Sequence, residues 1–460
     1  HLLTEPEERL LAEKSVTSRA AWTRLFSEVT SAITVQLPPE AAGNGEAGDV
    51  SLEVALSKLQ SPDRAVRAGA ARATTEALEP GLRTRAFILN TLLHEKSVED
   101  RLRSYPTWIS SRNLSNEASD ESVQALVEAV RARSDIPRRW YKLKARLLGI
   151  DKLADYDRVA AIGDDEGAVP WQEARELVID CYTGFSPDLG AIVQRFFDER
   201  HIDAPLRPGK RGGAFCASTV PELTPYVMLN YTASRQDVLT LAHELGHGVH
   251  GALAAGQGIL QMSPPLTMAE TASVFGEQVV FARLLEMADT PASRLALLAR
   301  SVEGSLATVF RQTAMNRFEE LAHTARRTEG ELSVDRIGDL WVESQYELMG
   351  DSLEVTDDYR SWWSYVPHFI NTPGYVYAYA YGQLLAMSVY RRYQDEGQSF
   401  VPRYLELLAA GGSQAPEDVA KIAGLDLTDP GFWDAGLALV EKNLEAAEAA
   451  AAESGLLDAV

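Results

Sequence analysis

The chain has 460 residues, with 44 Lys plus Arg against 66 Asp plus Glu, a formal charge of 44 − 66 = −22. So acidic a composition excludes nucleic acid as the main partner, because phosphate neutralisation needs a basic face, and it disfavours an anionic membrane surface. Apolar residues at 45% and charged residues at 24% exclude the disordered, collagenous and disulfide-rich classes and leave a globular protein with an extensive core.

The N-terminal stretch is charged from Glu5 onward and does not read as a secretory signal; with no initiator Met, it reads as a piece of something longer. Residues 1–200 read as a helical region. Ser61-Pro62-Asp63, Ser119-Asp120-Glu121 and Ser186-Pro187-Asp188 are helix-start signals that combine a hydroxyl cap with an acid in the first turn. Residues 201–460 read as the region that carries the chemistry. There the texture changes at 201–232, where prolines and glycines break any helix. Two short β-like runs, Ala214–Ala217 and Tyr226–Tyr231, predict a small hairpin. From residue 235 the pattern is helical again to about residue 450. The longest stretch without Asp, Glu, Lys or Arg runs over 361–390 and is broken by Pro367, Pro373 and Gly374. What remains is too short to span a bilayer and reads as a buried helix. The two cysteines, Cys181 and Cys216, form no disulfide framework, so a reducing, cytoplasmic location is expected.

Residues 243–250 read His-Glu-Leu-Gly-His-Gly-Val-His. On a helix His243 and His247 project from one face, one turn apart, which is the geometry two nitrogen ligands of one Zn²⁺ require. Glu244 lies beside the first ligand and can take a proton from water at the metal. Gly246 and Gly248 are poor helix formers and predict a close approach by another backbone or by a substrate. Three ligands from one straight helix converge poorly, so a polar contact is expected for His250. A third ligand can come from a second helix through Glu270, with Glu277 two turns on as a carboxylate that orients a ligand histidine or as a plain solvated acid. His368 and the alternating Tyr375, Tyr377, Tyr379 and Tyr381 read either as aromatic packing or as donors to an oxyanion.

TLAHELGHGVH, AETASVFGE and PHFINTPGYVYAYAYG together resemble the thimet-oligopeptidase-like zinc peptidases, in particular the bacterial oligoendopeptidase F group. GKRGGAFC (209–216) and the run 225–244 resemble that group's approach to its zinc helix. The resemblance implies a mainly α, multi-helical zincin-like peptidase fold, with a small β-sheet at the active site and a deep substrate channel. It implies a zinc metallopeptidase that hydrolyses internal bonds of short peptide substrates with a metal-activated water. His243, His247 and Glu270 would be the Zn²⁺ ligands and Glu244 the general base. His368, Tyr375 and Tyr379 would bind the transition state, with Tyr377 as the alternative tyrosine. The GGAFC run, through Gly213 and Ala214, would hold the peptide by its main chain. A zinc carboxypeptidase or dipeptidyl carboxypeptidase on a related fold is the second reading, and it calls for a positive charge in the channel to grip a C-terminal carboxylate. A non-catalytic peptide-binding scaffold is the third, disfavoured by the intact Glu244.

Overall fold

The computed structural model describes residues 1–42, 47–162 and 167–457. Helix dominates, as the sequence predicts, and the strands among the described residues form three small sheets. The first start signal is displaced by two residues. Helix α1 (Arg64–Leu78) is capped by Asp63, which accepts the Ala65 amide at 2.9 Å, and not by Ser61. The reason is local: Arg67 takes the carbonyls of Ser61 and Pro62 at 2.8 and 2.9 Å, so the helix can begin only after them. The other two signals hold. Ser119 caps α2 (Asp120–Ala132), and Ser186 caps α3 (Pro187–Asp198) with Pro187 in its first turn.

The predicted hairpin is present. Strand β2 (Phe215–Ala217) pairs antiparallel with β3 (Tyr226–Met228), Cys216 opposite Val227, and the Pro-bearing connection joins them. A short strand the sequence reading did not foresee, β1 (Ile202–Asp203), adds parallel to β3. The sheet order is β1-β3-β2, which leaves β2 with one edge unpaired.

Long helices follow. Helix α4 (Arg235–Ala254) starts in a capping box: Ser234 accepts the Asp237 amide at 3.2 Å, and Asp237 accepts the Ser234 amide at 3.0 Å. Helix α5 (Leu266–Glu286) begins directly after Pro264-Pro265 and packs between α4 and a later helix, α8 (Tyr377–Glu396). Helix α6 (Pro291–Ser305) runs through a π-turn at Leu306–Phe310 into α7 (Arg311–Glu329). The uncharged stretch 361–390 is buried over most of its length, as expected, but only its second half is a long helix. Residues 357–365 wind as 3₁₀ turns, and a single turn, His368–Asn371, precedes the Gly374 bend into α8.

Two apolar cores hold these elements. One runs from Ala118, just before α2, through α4, α5, α6 and α8 to Ala451. The other joins Phe26–Leu93 to residues Met315–Val376. The chain crosses from the second core to the first between Val376 and Tyr377. Among the described residues no helix is long and apolar enough to cross a membrane.

Candidate metal and catalytic site

The capping box fixes where α4 starts, and the helical register then places His243 and His247 one turn apart, with ring centroids 4.9 Å apart. Their partner comes from α5. The two helices cross at Gly246, where a Cβ would lie 2.5 Å from the Cα of Ser273. Only glycine allows this approach, so the expected close contact is a helix–helix crossing that brings Glu270 to the histidines. Glu270 Oε2 lies 3.3 Å from His243 Nε2 and 3.6 Å from His247 Nε2. One ligand atom from each of the three residues falls within 4.8 Å of the others.

These spacings fit a metal. Bonds of ~2.0–2.1 Å in a tetrahedral shell place neighbouring ligand atoms ~3.3 Å apart. The set is two imidazoles and one carboxylate, the donors that catalytic zinc prefers. The surroundings favour positive charge. Burial opposes protonation of His243, but bonds to Glu270 and Glu277 outweigh it and raise its pKa to about 10. Burial likewise opposes ionisation of Glu270, yet the two histidines and Ser273 hold its pKa at about 2. A field that retains a proton here also retains a dication.

The supporting groups are specific. Glu277 Oε2 lies 3.4 Å from Nδ1 of His243, whose Nε2 faces Glu270 in the cluster. The Ser273 hydroxyl donates to Glu270 Oε2 at 2.7 Å and fixes the carboxylate rotamer. Ser273 went unnoticed in the sequence, although its place one turn after Glu270 was the available signal. Glu244 is buried, and its Oε2 has no hydrogen-bond partner. Burial raises its pKa, as does repulsion from Glu270, while His243 and the Cys216 backbone amide pull the other way. An orphaned carboxylate oxygen beside a ligand cluster is a group prepared for a proton. His250 does not join the cluster. It is buried with Nδ1 unbonded, so the polar contact expected for it is absent at that nitrogen, and burial pushes its pKa down to about 4.

Two cavities flank the cluster. One, of about 570 Å³, is lined by Glu244, His247 and the β2 residues Phe215–Ala217, together with Ala214. Gly213 stands just before that strand at a positive φ, and its carbonyl accepts from Asn230 at 2.9 Å. The other cavity, of about 370 Å³, is lined by His243, Glu270, Tyr375 and Tyr379. The alternating tyrosines therefore separate into two pairs. Tyr375 and Tyr379 are half-buried, with rings 5.1 Å apart, and the Tyr379 hydroxyl lies 3.1 Å from His368 Nε2. Tyr377 and Tyr381 are fully buried in the core, and Tyr377 accepts from Asn116 Nδ2 at 2.9 Å.

Distant groups fix the loop before α8. The Gly374 amide donates to Glu319 Oε1 of α7 at 2.7 Å, and Arg112 Nε donates to the Pro373 carbonyl at 3.1 Å. Gly374 has φ +73°, a conformation that favours glycine, and it lies against Arg112, Trp108 and Ile109. Burial raises the Glu319 pKa to about 8, against the Gly374 amide and Arg112, which lower it. None of these supports was visible in the sequence, because each lies 55 or more positions from the residue it holds.

A helix pair that offers two histidines and a glutamate, with a free glutamate adjacent, defines a metallopeptidase-type site. The model of peptidase family M3 matches residues 189–439, and that of oligopeptidase F matches residues 1–34. The chain belongs to peptidase family M3. Oligopeptidase PepF of Bacillus subtilis is 28% identical over 450 residues, which cover 97% of this chain and 67% of that protein. Group B oligopeptidase PepB of Streptococcus agalactiae is 27% identical, over 96% of this chain and 73% of its own. The solved oligoendopeptidase-F of Enterococcus faecium shares the fold at a TM-score of 0.77 and 24% identity, covering 98% of this chain and 75% of that one. The chain is thus an oligopeptide-cleaving metalloendopeptidase, and the carboxypeptidase alternative is not favoured.

Proposed function

We propose that this peptidase uses Zn²⁺ held by His243, His247 and Glu270, and that Glu244 is its general base. The convergence of the three ligand atoms within 4.8 Å, with the unbonded Glu244 oxygen beside them, is the observation that carries this reading. When bound, the metal supplies a Lewis acid that polarises a peptide carbonyl and acidifies water. Glu244 takes a proton from the attacking water and delivers it to the leaving amine, so no acyl-enzyme is needed. Tyr375 and Tyr379 donate hydrogen bonds to the oxyanion, and His368 orients the Tyr379 hydroxyl. Glu277 keeps His243 in the tautomer that presents Nε2. The free edge of β2, entered through Gly213 and Ala214, receives the peptide main chain as an added strand.

The short peptide substrate, rather than nucleic acid or a membrane, agrees with the charge of −22. Both cysteines are free, which supports a reducing cytoplasmic setting. The test is cleavage of a quenched fluorescent peptide before and after chelation, with zinc added back. Restoration by zinc supports the reading, and cleavage indifferent to chelation refutes it.

A further inference from the structure

Beyond the tyrosine-side cavity lies another of about 510 Å³, and the two share Gln236, Arg300 and Gly304 as a common wall. That wall is the first turn of α4 with α6, which runs on into its π-turn, a widened helical turn of the kind often kept at functional sites. Arg158, Arg235, Arg300 and Arg311 all line one or both cavities, and Arg300 and Arg311 are the two that bear on a ligand. Arg300 is exposed to both cavities, and its hydrogen bond is a long one, 3.4 Å to Gln236 Oε1. Arg311 stands at the start of α7, half-buried, and lines the second cavity with Tyr141. Among the described residues neither guanidinium has a carboxylate within ion-pair distance. The acid nearest in sequence, Glu303, lines the same cavity and feels the charge of Arg300, but its ion pair is with Lys144. In a chain with 22 more acids than bases, two guanidiniums with no ion-pair partner among the described residues, on one cavity wall, offer a place for an anionic ligand.

We propose that Arg300 and Arg311 form a subsite for a carboxylate of the peptide substrate, remote from the bond that is cut. This rests on the peptidase reading and extends it. The carboxylate belongs either to the peptide's C-terminus or to an acidic side chain, and the planar forks of Arg recognise both in the same way. Such a contact anchors one end of the peptide while the main chain lies at the metal, so it acts on substrate binding more than on the chemical step.

The experiment compares three versions of one quenched peptide of about ten residues: free acid, C-terminal amide, and free acid with Asp and Glu replaced by Asn and Gln. Each is assayed with the wild type, Arg300→Gln, Arg300→Lys and Arg311→Gln. The readout is the ratio of kcat/KM between peptides within each protein, so a change in the amount of folded enzyme cancels. The wild type is expected to favour the charged peptide about tenfold, mainly through KM, as one charge-assisted contact would give. That preference should fall toward unity in Arg300→Gln and Arg311→Gln and be partly kept in Arg300→Lys. A penalty in the amide arm assigns the carboxylate to the terminus, and one in the Asn/Gln arm assigns it to a side chain. A wild-type ratio of one in both arms, or a preference that both Gln variants keep, overturns the subsite and leaves the peptidase reading standing. No cleavage of any peptide by zinc-loaded wild type overturns the reading beneath it.

Discussion

The α4–α5 helix pair and the segment from His368 to Tyr379 both aim polar side chains into an otherwise apolar interior, but they reach that end differently. In the helix pair the order is short-ranged. A capping box sets the register, a four-residue spacing sets the face, and one glycine sets the distance to the second helix. In the His368–Tyr379 segment the order is borrowed. Arg112, Asn116 and Glu319, from elements far away in the chain, fix the loop and separate the half-buried tyrosines from the buried ones. Local rules thus suffice to build a ligand cluster, whereas the donors opposite it depend on the tertiary structure.

This contrast can be broken or sharpened by substitution. The largest effect is expected for Glu244→Gln, which should lower kcat by about 10²–10⁴-fold while bound metal, measured by elemental analysis, stays at the wild-type level. Wild-type turnover in that variant would remove the general base. Tyr379→Phe should lower kcat by about 10²–10³-fold with little change in KM, the loss of one oxyanion donor. Tyr377→Phe is its control and should cost only about 1 kcal/mol of stability, through the lost Asn116 bond, in a denaturant titration. Equal losses for the two would cancel the separation of the tyrosines. Glu277→Gln should weaken metal affinity by about 10–100-fold in a competition titration with a chelator.

The smallest effect concerns pH. Glu319 has a folded pKa raised to about 8, so the folded state holds its proton more tightly than the unfolded chain does. Its contribution favours folding fully below the ordinary carboxylate pKa of about 4.5 and is lost as pH rises to about 8. Thermal melts of wild type should therefore fall across that window, and Glu319→Gln should flatten the slope. An identical slope in both proteins would show that Glu319 is not the group involved.

How much was legible follows the same division. His243, His247, Glu244 and Glu270 were named from spacing and resemblance, and the structure brings all four together. The hairpin was read from β-branched and aromatic runs, but β1 has only two residues and no pattern to show. Tyr375 and Tyr379 were favoured over Tyr377 only through the resemblance. A helical wheel alone could not decide, because Tyr375 precedes α8 and its direction is set by the Gly374 turn. Glu319, Arg112 and Arg300 looked like ordinary helix charges, since nothing local distinguishes a clamp or a guanidinium without a carboxylate partner from a solvated side chain.

The crossing of the chain from one apolar core to the other between Val376 and Tyr377 has a mechanical corollary. Phe369, Ile370 and Val376, the neighbours of His368 and Tyr375, belong to one core, while Ala242, Leu245 and Ala272, the neighbours of the histidine–glutamate cluster, belong to the other. A slight slip of these two cores against each other would misalign donors and cluster while every bond within each remained intact. Gentle warming or dilute denaturant should accordingly silence turnover before it releases the ion.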